Sequence, residues 1–267
     1  MIATLIVLVL LLSVASAALV VLLWREVRRL RADVRDVEDP AAGLAEAVAT
    51  LRQANLRQHR ETRAVTDALF SLAGLGPDGA TQPSTQGWSA SPMVLRQLAE
   101  QVTEHAPSLV VEIGGGGSSV LLGRLLRQQG HGRVVSLEHD PAFAEITRAH
   151  LRRHGLEDLV EVRVAPLAEI DVDGETFRWY SPDALSDLVD IDLVFVDGPP
   201  GSTGRHARFP AVPLLKDRCR PGALVLLDDG ARAQERGVAD RWIAEHDAVE
   251  ISADSVGTGW IQLRLDG

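Results

Sequence analysis

VVEIGGGGSS, residues 110–119, decides the fold. Its apolar half reads as a buried strand. The glycines that follow let the backbone turn sharply, and Ser118 and Ser119 stand where a helix opens. An acid, Glu112, lies two residues before the first glycine. A second apolar run, VVSLEHD at 134–140, ends in another acid, Glu138, followed by His139. Strand, glycine turn, helix, and a second strand tipped by a carboxylate make a pocket for an adenosine-containing cofactor.

Outward from this stretch the elements alternate. Strands are expected at Leu109–Ile113, Val134–Glu138, Val160–Val164, Ile191–Asp197 and Ala223–Asp228, apolar on both faces as in a parallel sheet covered by helices. Helices are expected from Ser91-Pro92 to His105, then over Ser119–Gln129, Pro141–His154, Arg208–Arg218 and Arg232–His246. Val249–Ala253 and Trp260–Leu265 are joined by DSVGTG, too short for a crossover helix, so they form an antiparallel hairpin and the sheet is mixed.

The N-terminal part has a different character. Met1–Trp24 carries no charged residue. As a helix it is about 36 Å long, enough to cross a hydrocarbon core, and it reads as a transmembrane anchor over 1–24. Ala15-Ser16-Ala17 resembles a signal cleavage site, but no positive region precedes the apolar run and the run continues past the cut. Arg25, Arg28, Arg29 and Arg31 follow the span, which places the C-terminal bulk at the cytoplasmic face of a single-pass protein. Over 25–73 the apolar positions Val27, Leu30, Val34, Val37, Leu44, Val48, Leu51, Val65, Leu69 and Leu72 keep one heptad frame, interrupted by Pro40. This is either a coiled-coil stalk that forms a homodimer or a solvated helical linker. Residues 74–87, rich in Gly, Pro, Ser and Thr, form a linker, and 88–267 the catalytic domain. The single cysteine, Cys219, excludes an internal disulfide. The net charge of −10 disfavours nucleic acid as a partner.

The glycine turn and its acids suit one ligand in particular. Gly114 and Gly116 admit close backbone approach, Ser118 and Ser119 offer donors to a carboxylate, and Glu112 suits a cationic group. Glu138 suits the two hydroxyls of a ribose. Ammonium, carboxylate and sulfonium together are the amino-acid half of S-adenosylmethionine, whereas a pyrophosphate is repelled by Glu112.

These residues make the chain resemble the class I S-adenosylmethionine-dependent methyltransferases. The resemblance covers residues 88–267 and rests on EIGGGGSS, SLEHD, VFVDGPPG, LVLLDDGAR and the terminal hairpin. It implies a Rossmann-like α/β fold with a seven-stranded mixed sheet in the order 3-2-1-4-5-7-6, the last strand antiparallel. It also implies that Glu112, Gly114 and Gly116 line the methionine end, that Glu138 holds the ribose, and that Ala165-Pro166-Leu167 lies near the adenine.

Asp197, in DGPPG, and Asp228 and Asp229 end two neighbouring strands, with Arg232 one turn on. Three gathered carboxylates repel one another unless a cation or a proton intervenes. Two readings stand: Asp197 with Asp228 or Asp229 holds a divalent metal such as Mg²⁺, as in metal-dependent O-methyltransferases, or one aspartate is a general base while Arg232 neutralises another. In the loop STGRHARFP, 202–210, His206 is a candidate base, and Arg205 and Arg208 are candidate binders of an anionic substrate. Trp179-Tyr180 reads as an exposed aromatic pair. The function expected is O-methyl transfer to a small-molecule, lipid or glycan acceptor at a membrane. The alternatives are an NAD(P)-dependent oxidoreductase and an inactive cofactor-binding scaffold. The short-chain reductase pattern fails because the only Tyr, Tyr180, has Ala184 four residues on.

Overall fold

The computed structural model describes residues 22–29, 48–50, 52–53, 56–57 and 90–266. The chain divides into two units, Met1–His59 and Arg60–Gly267. In the first, the described residues are helical. The expected anchor at 1–24 and stalk at 25–73 fall mostly outside the described residues, and the linker at 74–87 falls wholly outside them. Among the described residues no helix is long and apolar enough to cross a membrane.

In the second unit, helix α1 (Pro92–His105) starts at Ser91, whose hydroxyl accepts from the Val94 amide, with Pro92 preset for the first turn. Strand β1 (Leu109–Ile113) is buried throughout, and α2 (Gly117–Gln129) begins directly after the glycine turn. Strand β2 (Arg133–Glu138) leads to Asp140, which caps α3 (Pro141–His154) by accepting from the Ala142 amide at 2.8 Å. Strand β3 (Val160–Val164) follows. After a hairpin, β4 (Leu167–Val172) and β5 (Glu175–Tyr180), come β6 (Ile191–Val196), the short α4 (Ala211–Leu215) and β7 (Cys219–Asp228). Helix α5 (Ala233–Glu245) and the strands β8 (Ala248–Asp254) and β9 (Trp260–Leu265) end the unit.

The main sheet runs β3-β2-β1-β6-β7-β9-β8. Its first five strands pair in parallel, and β9 is antiparallel to both of its neighbours. With the β4–β5 hairpin set aside, this is the expected order 3-2-1-4-5-7-6. Alternate residues of each strand feed opposite faces. Val110, Val134, Val160, Leu193 and Leu224 pack with α1, α2 and α3. Val111, Ile113, Val135, Val194 and Val225 pack with Trp179, Phe209 and Trp242. The central strands β1, β2 and β6 are therefore buried on both faces, and the chemistry lies towards their C-terminal ends.

Two expectations are corrected. The helix expected over Arg208–Arg218 shrinks to Ala211–Leu215 with a 3-10 turn at Lys216–Arg218, because Arg208 and Phe209 are held in the loop by contacts described below. The stretch before β6 is a hairpin. Asp173 and Gly174 both have positive φ, at 53° and 80°, the geometry of a two-residue turn that favours Asp-Gly. Trp179 and Tyr180 are consequently inside, 0% and 1% exposed, rather than on the surface. The hairpin roofs one face of the sheet with Phe177, Trp179 and Tyr180. Trp179→Ala is expected to lower the stability of this unit by about 3–5 kcal/mol, read as a lower urea midpoint; an unchanged midpoint would show that the hairpin is not part of the core.

Candidate functional site

The site lies at the C-terminal ends of β1, β2, β6 and β7. Gly114 has φ 94°, and a Cβ there would meet the Gly198 amide nitrogen at 3.0 Å and the Asp197 carbonyl carbon at 3.2 Å. The glycine turn is thus pressed against the segment that carries Asp197. Two ladder bonds fix this approach: the Gly114 amide donates to the Leu137 carbonyl at 3.0 Å, and the Asp197 amide to the Ile113 carbonyl at 2.9 Å. The Gly198-Pro199 bond is cis. Gly116 faces open space.

Glu112 is fully buried beneath the turn. Its Oε2 accepts from the Ser119 and Ser136 hydroxyls, the second at 2.6 Å, and Ser119 Oγ in turn accepts from the Gly116 amide at 3.0 Å. One carboxylate oxygen thereby ties the turn to two neighbouring elements. The other, Oε1, is buried without a protein partner. Burial pushes the Glu112 carboxyl above the ordinary value, and the Ser118, Ser119 and Ser136 hydroxyls pull it back. Ser118 and Ser119 both lie buried in the first turn of α2.

Glu138, at the end of β2, is 7% exposed. Its Oε1 accepts from the Asp140 amide at 2.8 Å and lies 2.8 Å from His139 Nδ1. The His139 ring meets the edge of Tyr180, with centroids 6.1 Å apart. The Tyr180 hydroxyl packs on Gly198, where any side chain would collide with it. Burial, then Glu138 and Asp197, push the Tyr180 phenol upward, so it stays protonated. Pro166, expected near an adenine, is exposed between β3 and β4, and its carbonyl accepts from the Ser181 amide.

Asp197, Asp228 and Asp229 do come together, and Arg208 is among them. Its Nη2 donates to the Asp197 carbonyl at 2.8 Å and to Asp197 Oδ1 at 3.1 Å, and reaches Asp229 Oδ2 at 3.0 Å. Its Nη1 donates to the Asp228 carbonyl at 2.9 Å. Arg232 sits outside, 2.7 Å from the same Asp229 oxygen, with its side chain 55% exposed. Asp228 Oδ1 accepts from the Asp229 amide at 2.6 Å. Burial, and then Asp228, raise Asp197 well above the usual carboxylate range. Burial, and then Asp229, lift Asp228 to about 6.

His206 is elsewhere. Its ring packs on Gly237 of α5, and with Arg178, Arg205 and Arg241 it lines a separate cavity of about 420 Å³ under the β4–β5 turn. Burial lowers its pKa, helped by the positive charge of Arg205. It is not among the residues that contact Asp197. Arg208, expected as an anion binder, is instead consumed by the aspartates. Arg208 and Tyr180 are the two site residues whose roles the sequence reading missed. The Asp-Gly turn was the available signal for Tyr180; nothing local marks Arg208.

A family model described as a methyltransferase domain matches residues 111–230. Catechol O-methyltransferase of Mycobacterium tuberculosis is 33% identical over 164 residues, which cover 57% of this chain and 67% of that protein. The chain belongs to the catechol O-methyltransferase-like family of S-adenosylmethionine-dependent methyltransferases. The mouse catechol O-methyltransferase is 31% identical over 135 residues, spanning 48% of this chain and 44% of the mouse protein. An SAH-bound methyltransferase from Podospora anserina shares the fold, with a TM-score of 0.54 at 16% identity over 76% of this chain and 88% of that one. The nicotinamide alternative is thereby set aside.

The residues present suit the methyl donor: Glu112 keeps one buried oxygen unpartnered, and Gly116 opens the turn to a ligand. They do not suit a divalent metal at the aspartates. An ion bound to Asp197 and Asp229 lies about 2–2.5 Å from their oxygens. Arg208 Nη2 is 3.1 and 3.0 Å from those same oxygens. Arg208 and such an ion would then compete for the same two oxygens.

The raised aspartate pKa values carry a sign for stability. Between about pH 4 and 6 the folded state binds more protons at Asp228 than the unfolded one, so the contribution of Asp228 falls as pH rises through about 6. Asp228→Asn, which keeps an acceptor for the Asp229 amide, is expected to stabilise the protein at pH 7.5 relative to wild type and to lose that advantage at pH 4.5. Urea midpoints at the two pH values read the difference; an equal shift at both would refute the raised pKa.

Proposed function

We propose that this methyltransferase transfers a methyl group from S-adenosylmethionine to a hydroxyl oxygen, with Asp197 as the general base. The observation that carries the reading is the backbone contact between the glycine turn and the Asp197 segment, which puts donor loop and base side by side. Glu112, Gly114, Gly116, Ser118 and Ser119 hold the amino-acid end of the donor; Glu138 and His139 hold its ribose, and Pro166 lies towards its base. The bound sulfonium supplies an already activated methyl group, so the protein's tasks are positioning and proton removal.

Asp197 is fitted to the second task. It is the most open of the three aspartates, its side chain 18% exposed against 10% for Asp229, and burial makes it a stronger base than a surface carboxylate. It takes the hydroxyl proton as the oxygen bonds to carbon. Asp228 and Asp229 hold Arg208 and share the charge, and Arg232 neutralises the outer oxygen of Asp229. Tyr180 walls the pocket beside Glu138 and keeps water out.

The N-terminal sequence is what supports an acceptor class. The uncharged run Met1–Trp24 followed by Arg25, Arg28, Arg29 and Arg31 supports a single-pass anchor with the domain on the cytoplasmic face, and so a lipid or glycan acceptor handled at the bilayer. The heptad positions between Val27 and Leu72 support a homodimer through the stalk. Incubating the enzyme with methyl-labelled donor and membrane extract should label a lipid or glycan; label confined to water-soluble small molecules overturns the membrane acceptor.

Two substitutions separate the roles. Glu138→Gln is expected to weaken donor binding by about 10-fold or more in calorimetry, since a hydrogen bond to a charged group is lost or softened. Asp197→Asn, which still accepts from Arg208, is expected to reduce turnover by about 100-fold or more while donor affinity stays at the wild-type value. Full turnover in Asp197→Asn would remove it as the base.

A further inference from the structure

We infer that the Arg208 guanidinium is the resident cation of the aspartate cluster, so that this enzyme works without a divalent metal at that place. The inference rests on Asp197 being the reactive carboxylate, as proposed above, but its first observation is independent of the reaction. Three acids from the ends of two adjacent strands converge, and a fixed positive group already lies among them within hydrogen-bonding distance.

Arg208 is built in rather than parked. Its side chain is 5% exposed and its four contacts include two main-chain carbonyls, those of Asp197 and Asp228. It therefore clasps the ends of β6 and β7 as well as their acids. The loop that carries it is fastened on the far side too. Trp242, fully buried in α5, donates from Nε1 to the Phe209 carbonyl at 2.8 Å, and the Arg241 guanidinium lies 3.7 Å from the Phe209 ring centroid. For a metal ion to enter, Arg208 would have to leave two carbonyls and two carboxylates at once and carry its charge out of a buried position. Two of the three carboxylate charges are answered without an ion, by Arg208 inside the cluster and Arg232 at its rim.

The consequence is a base whose neighbours are covalently part of the chain. A divalent ion exchanges with solvent and can be stripped; a guanidinium cannot.

Mn²⁺ binding followed by electron paramagnetic resonance on the purified full chain tests this without requiring turnover. Wild type should show no Mn²⁺ binding that depends on Asp197 up to millimolar concentration. Arg208→Met removes the internal cation and keeps most of the side-chain volume; it should bind Mn²⁺ at least about 10-fold more tightly than wild type. The double variant Arg208→Met/Asp197→Asn should lose that gain. If Arg208→Met does not fold, the wild-type titration decides alone. Micromolar Mn²⁺ binding by wild type that disappears in Asp197→Asn overturns the inference. Labelled-methyl transfer in the presence of EDTA provides the second arm. Transfer that persists supports it, and transfer that stops on chelation and returns with Mg²⁺ overturns it. Should no acceptor be methylated at all, the resonance titration still reads the cation site, so the two proposals fail separately.

Discussion

Three carboxyl groups can be buried side by side only if positive charge or a proton is buried with them. The ends of β6 and β7 bring Asp197, Asp228 and Asp229 together, and Arg208 meets that condition. Much of the surrounding architecture follows. The loop after Asp197 must fold back far enough for Arg208 to reach both strand ends, which is why helix α4 starts only at Ala211. Phe209 must then turn into the core, where it stacks on Phe177 of the hairpin with centroids 5.4 Å apart and receives the Trp242 hydrogen bond. The hairpin, the loop and α5 are held together by this one residue's neighbours. The buried guanidinium therefore links an electrostatic requirement of the site to the packing of a whole face of the sheet.

A second constraint acts from the opposite side. The glycine turn touches the Asp197 segment closely enough that a side chain at Gly114 would strike the backbone of Asp197 and Gly198. Glycine at 114 is thus required twice, by its positive φ and by its neighbour. Glu112 makes the turn stiff. Seated under it and bonded to Ser119 and Ser136, it fixes the first residues of α2 relative to β2. The sequence reading placed Glu112 facing a ligand cation. In the structure most of its bonding capacity serves the turn, and only Oε1 is left for anything else.

The parallel core was legible in the sequence because its strands are short, apolar on both faces and separated by helices with ordinary caps. Ser91-Pro92, Asp140-Pro141 and Gly155 mark helix ends by local chemistry, and each does so in the structure. The strand order was legible only through the family resemblance, since nothing in the spacing says which strand lies beside which. The acids at strand ends were legible for the same reason that they function: a charged residue closing an apolar run has to sit where the sheet meets solvent. What escaped were features that depend on contacts across the sequence. Trp179 and Tyr180 look like an exposed pair until the Asp173-Gly174 turn folds them onto the core. Arg208 looks like a loop cation until strand ends about 11 and 20 positions away converge on it. His206, two residues from Arg208, was the more conspicuous candidate by residue type, yet its ring faces α5 rather than the aspartates.

The electrostatics of the pocket also bear on which ligands it admits. Glu112, Glu138, Asp197, Asp228 and Asp229 crowd one end of the sheet, and the two arginines that answer them are engaged with the aspartates. A ligand bearing a pyrophosphate would add negative charge to this surplus, whereas a sulfonium and an ammonium reduce it. The preference for a cationic donor thus comes from the count of charges at the strand ends rather than from any single contact. The same count bears on the acceptor. A chelating metal rewards substrates with two adjacent oxygens, because both can enter its coordination shell. A guanidinium whose Nη atoms are already bonded to protein oxygens offers no such shell. An aspartate base beside a fixed cation asks only for one hydroxyl within reach of Asp197.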